Sequence, residues 1–73
     1  MNNIEKRIAD LEHKIDTFKK VAASDADLIK ELIASGRPDD IQFAAEKAES
    51  IARHIVQIPA MEAEIAALRN NLK

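Results

Sequence analysis

The side chains that could bind a metal or carry out catalysis are few and widely spaced. His13 and His54 are the only histidines. His13 has just Asp10 and Asp16 three residues to either side, and His54 has no carboxylate at helical spacing, so neither assembles a convincing metal site. Cysteine is absent, which removes disulfides, thiolate ligands and a thiol nucleophile. Gly36 is the single glycine and tyrosine is missing, so there is no glycine-rich loop to cradle a phosphate. The carboxylate pairs Asp25/Asp27, Asp39/Asp40 and Glu62/Glu64 are explained by helix starts or solvated helix faces. The expectation is a protein that is not an enzyme, with no catalytic residues, no metal and no cofactor.

Three groupings rise above that background. Lys6, Arg7, His13, Lys14 and Lys20 share one edge of the first helical segment, while Glu5, Asp10, Glu12 and Asp16 occupy the other. This pattern is either a salt-bridged solvated face or a docking edge for an acidic protein or structured RNA. Lys20, Arg53, His54 and Gln57 form a mid-chain polar set able to hold a small anion or nucleotide at a subunit interface, although Asp25 and Asp27 nearby would repel a phosphate. Arg37, Asp39 and Asp40 mark an exposed tip suited to contact with a partner protein.

The elements that must position these residues follow from apolar spacing. Hydrophobic residues make up 47% of the 73 residues, charged ones 33% and aromatics 3%, the composition of a helical bundle or coiled coil. Ile4, Ile8, Leu11, Ile15, Phe18 and Ala22 alternate spacings of four and three, a heptad seam. Ser24 reads as a cap for a following helix, with Asp25 and Asp27 in its first turn. The expected first arm is therefore a helix over about 3–22 and another over about 25–35. Gly36 fits the left-handed position past a helix end, Pro38 stops the helix, and Asp39 with Gln42 resembles a capping box, which predicts a turn over 36–39.

The second arm, over about 40–72, carries Ile41, Ala44, Ala48, Ile51, Ile55 and Ile58, then Met61, Ile65, Leu68 and Leu72. One spacing of three stands where four is due, around Pro59. Proline lacks the amide hydrogen and crowds the carbonyl four residues back, so a kink is expected there. If the chain folds back near Pro38, Ile4 meets Leu72, Ile8 meets Leu68, Leu11 meets Ile65, Ile15 meets Met61, Phe18 meets Ile58, Leu28 meets Ala48 and Leu32 meets Ala44. The same register sets Glu12 beside Arg69, Lys19 beside Glu62 and Lys14 beside Glu64. Exposed pairs of this kind select a register and contribute little else.

The fold class is thus all-α: one domain over residues 1–73, a long antiparallel αα-hairpin with its first arm broken near Ser24 and its second kinked at Pro59. Two helices of this size bury too little to stand alone. Val21, Ile29, Ile33, Phe43 and Val56 lie off the seam, and Ala44, Ala45, Ala48 and Ala52 form a smooth stripe. These predict a homodimer packed as a four-helix bundle. No apolar run reaches bilayer length, and MNNIEKR lacks the apolar core of a signal peptide, so a cytoplasmic protein with no membrane partner is expected. With a net charge of −2, nucleic acid is an unfavourable bulk partner.

The leading functional expectation is a protein–protein interaction module, an adaptor or inhibitor of the size common among phage and plasmid regulators. The alternative is sequestration of a small anionic ligand or nucleotide at an oligomer interface. In topology the hairpin is similar to the Rop family of dimeric helical-hairpin regulators, and that resemblance would imply RNA binding. Phe18 and Phe43 are the only aromatics, which leaves little to stack on bases.

Overall fold

In the computed structural model, which describes residues 2–72, the chain is an all-helical hairpin of three elements: α1 (Asn3–Ser35), α2 (Pro38–Ile55) and α3 (Ile58–Asn70). It measures 55 × 17 × 12 Å. The first arm is one helix of 33 residues, which corrects the expected break near Ser24. A serine cap contributes about 1 kcal/mol, too little to offset the backbone ladder and the alanines around it, so Ser24 stays helical and exposed. Asp25 consequently keeps its core-side position and is half-buried.

Both ends of α1 are fixed by residue type. The Glu5 amide donates to Asn2 Oδ1 at 2.8 Å, capping the start. At the other end Gly36 takes φ of 70° and its amide donates to the Ile33 carbonyl at 3.1 Å, the left-handed stop expected from the sequence. The turn is tighter than predicted. Pro38 opens α2 instead of merely ending α1, and no side chain caps the new helix. The capping box of Asp39 and Gln42 is therefore not formed, because proline at the first helical position already supplies the required φ and has no amide to satisfy.

The second arm breaks at Val56–Gln57 without reversing. Both residues keep right-handed helical dihedrals, the Gln57 amide donates to the His54 carbonyl at 3.1 Å, and the Met61 amide donates to the Gln57 carbonyl at 3.1 Å. Pro59 leaves the Ile55 carbonyl without its helical donor, so the ladder loosens one turn upstream and resumes in the same direction.

The interface between the arms corrects the expected phase slip. Burial along the second arm steps through Asp40, Ala44, Lys47, Ile51, Ile58, Met61, Ile65 and Leu68, with the His54 ring standing edge-on to Phe18 at 5.1 Å. Those positions alternate spacings of four and three with no slip at Pro59. Ile41, Ala48, Ile55 and Leu72, assigned to the seam from sequence, are exposed, while Ile29, placed off it, is half-buried. The frame is set by the closed end, where Ile8, Leu11 and Ile15 pack with Ile58, Met61 and Ile65 in one cluster, flanked by Ile4, Phe18 and Leu68. A continuous helical path from that cluster carries Lys47 inward, sets the exposed His54 beside Phe18, and turns Ile41 and Ile55 outward.

Candidate functional site

The hairpin has two unlike halves. At the closed end, the seam is apolar and both flanks are ion-paired. Arg7 Nε donates to Glu64 Oε2 at 2.7 Å and Arg7 Nη2 to Glu64 Oε1 at 3.3 Å, a two-pronged bond. This hydrogen bond, with the charge attraction, holds the Glu64 carboxyl below its ordinary range and the Arg7 guanidinium above its own. On the opposite flank Arg69 Nη2 donates to Glu12 Oε1 at 3.3 Å, as expected from the sequence. Glu64 takes Arg7 in place of Lys14, the two charges bridging the neighbouring seam layers of Ile8 and Ile65. Lys14 instead lies 6.0 Å from the centre of the Phe18 ring.

Towards the tip the seam is mixed and looser, with half-buried Ile29, Leu32 and Ile51 beside Ala22, Asp25, Lys47 and Ser50. Ala44 is its one buried residue, at 3% exposure. A cleft of about 110 Å³ opens between Phe18, Ala22 and Asp25 on α1 and Ser50, Ile51 and His54 on α2. The flanks here are apolar. On the Glu12–Arg69 side lie Ala23, Ala26 and Ile33 of α1 and Ile41, Ala45, Ala48, Ala52 and Ile55 of α2, all exposed. The Arg7–Glu64 side carries Val21, Leu28 and Phe43, with the Lys47 ammonium 5.6 Å from the centre of the Phe43 ring. Ile33 is 57% exposed, Val21 49% and Phe43 43%.

The tip is an organised turn. Arg37 reaches Asp40 Oδ2 through Nε and Nη2, both at 2.9 Å. Ser35 Oγ lies 2.7 Å from the same carboxylate oxygen and 2.8 Å from the Leu32 carbonyl, and its single proton goes to one or the other. The Ser35 hydroxyl, ahead of the Arg37 charge, holds the Asp40 carboxyl below the usual range. Arg37 is thus tied to its own turn, while Asp39 is exposed in the first turn of α2.

The other two groupings do not converge on a shared ligand site. Lys20 pairs with Asp16 at 3.0 Å, Arg53 with Glu49 at 3.8 Å, His54 Nδ1 with the Ser50 carbonyl at 2.7 Å, and Gln57 Nε2 donates to the Arg53 carbonyl at 3.1 Å. Each donor is engaged on its own arm. Along the basic edge, Arg7 and Lys20 have acidic partners and Lys14 covers Phe18, while Lys6 and His13 are exposed. Among the described residues no cluster of histidines and carboxylates is placed to hold a metal ion, and no helix is long and apolar enough to cross a membrane.

Sequence reasoning missed the division between the halves. The signal that could have found it is the change in flanking residues from charged pairs to Ile and Ala beyond Val21. No protein-family model, curated protein or solved structure matches this chain.

Proposed function

We propose that this chain is a non-enzymatic protein–protein interaction module, a homodimeric helical hairpin that acts as an adaptor or inhibitor by covering a surface of a partner protein. One observation carries the reading: large apolar side chains are exposed on both flanks of the tip half, whereas the closed half has apolar residues inside and ion pairs outside. Exposed apolar area on opposite sides of one rod gives it two faces for other helices, one for self-association and one for a partner. The face with Val21, Leu28 and Phe43 carries an aromatic residue of the kind enriched at partner contacts.

Light scattering at micromolar concentration is the first test, and twice the chain mass is the expected result. Affinity capture with the tagged protein is the second. One protein recovered stoichiometrically by the wild type, and lost with Val21→Glu/Phe43→Glu while the dimer mass persists, supports the module. A monomer that captures nothing overturns it.

A further inference from the structure

Besides the seam facing α1, the second arm carries another, outward-facing one that runs along α2 to the start of α3. Ile41, Ala45, Ala48, Ala52, Ile55 and Pro59 alternate spacings of four and three, and all six are exposed. On an α-helix, that spacing draws one straight apolar stripe. We propose that the occupant of this stripe is the same stripe of a second copy, packed antiparallel about a two-fold axis between Ala48 and Ala52. The inference rests on the self-association reading above and assigns it a face, a direction and a register.

Two observations favour a second copy over another occupant. The first is area. The chain exposes 5395 Å², against about 4,500 Å² for a compact monomer of its 8.1 kDa mass by the scaling of surface with mass. The excess, about 900 Å², is close to the ~800 Å² each partner buries in a standard interface. The radius of gyration, 16.7 Å, likewise exceeds the ~11 Å of a compact domain of this length.

The second observation is self-complementarity. The step from Ile41 to Ala48 equals the step from Ala52 to Pro59, so an antiparallel copy places Ile55 over Ala45 of its partner, Ala48 over Ala52, and Ile41 over Pro59. Large meets small in the outer layers and alanine meets alanine at the axis, which lets the helices approach closely. A parallel copy would instead set isoleucine on isoleucine and alanine on alanine, holding the helices apart at the ends over a void. At the same level α1 offers Ala23 and Ala26, so the second hairpin's α1 is accommodated as well.

The test uses the absence of cysteine. Ala45→Cys and Ile55→Cys variants are prepared separately, checked for dimer mass under reducing conditions, then mixed, unfolded, refolded together and oxidised. A disulfide needs α-carbons within about 7 Å. In the proposed dimer residue 45 of one copy faces residue 55 of the other, while its own counterpart lies ten residues, about 15 Å, along the helix. A covalent dimer containing one chain of each variant, absent when either is oxidised alone, is the expected result. Cross-linking of either variant alone overturns the direction. Dimer mass with no cross-link in the mixture overturns the face, and monomer mass for the wild type overturns the self-association on which the inference rests.

Discussion

At the residue scale the most sharply determined position is Gly36. Its φ of 70° is the only positive value among the described residues, and a Cβ built there meets nothing within 4 Å. Gly36→Ala therefore tests backbone strain alone and should lower unfolding free energy by about 1 kcal/mol in urea denaturation, with Gly36→Asn losing less. Leu11 and Ile65, 3% and 6% exposed, are the opposite case: replacing either with alanine should cost roughly 2–5 kcal/mol, and a change below half of that range's lower end would contradict the seam. Acid provides a third check. Glu64 and Asp40 both have carboxyls held below their ordinary values of 4.5 and 3.8, so their ionised forms favour the folded state. That contribution is complete above those values and disappears as pH falls through the lower folded ones. The melting temperature should drop below about pH 4.5, and Glu64→Gln with Asp40→Asn should flatten that drop. Gly36 was legible because a lone glycine after an apolar run has one common use. The Asp40 partnership was not, since nothing in the sequence distinguishes Asp39 from Asp40 until the turn closes.

At the scale of elements, the αα-hairpin, its turn and the pairing of Leu11 with Ile65 were readable from spacing, because the closed end is a run of Ile, Leu and Met with no competing pattern. The phase of α2 was not readable for a definite reason. It carries two apolar strings, and the string with the larger residues, Ile41 and Ile55, is the one that faces out. Local hydrophobicity favours those residues for the seam, but the six-residue core at the closed end fixes the helix rotation, and α2 must follow it. Ser24 failed for the same reason: a local capping signal was outweighed by a continuous heptad frame. Pro59 gives the test. Since the frame runs through it without slipping, Pro59→Ala should restore a donor to the Ile55 carbonyl, close the Val56–Gln57 break and raise both helical circular dichroism and unfolding free energy, the latter by up to ~3 kcal/mol. A helical hairpin that needed the break for a change of phase would be destabilised instead.

For the whole molecule, the contrast between halves becomes a contrast in stability. The closed half buries its own core and neutralises its own flanks, so its amides are protected by contacts within one chain. In the tip half the seam is Ala22, Asp25, Ile29 and Leu32 against Ala44, Lys47, Ser50 and Ile51, of which Ala44 alone is fully buried, and Val21, Ile33, Ile41, Phe43 and Ile55 stay exposed outside it. On the proposed dimer, the copy that covers α2 adds protection there. Opening of the tip half is therefore linked to dissociation, and by mass action a chain concentration about a hundredfold above the dissociation constant contributes ~2.7 kcal/mol. Amide hydrogen exchange around Ala45–Ala52 should then slow by about a hundredfold between dilute and concentrated samples, while amides near Met61 and Ile65 reach a ceiling set by the monomer's own core. Exchange that slows equally in both halves would show that the hairpin folds only as a dimer. Exchange independent of concentration throughout would show that the tip half is held by its own two helices, against the division drawn from the packing.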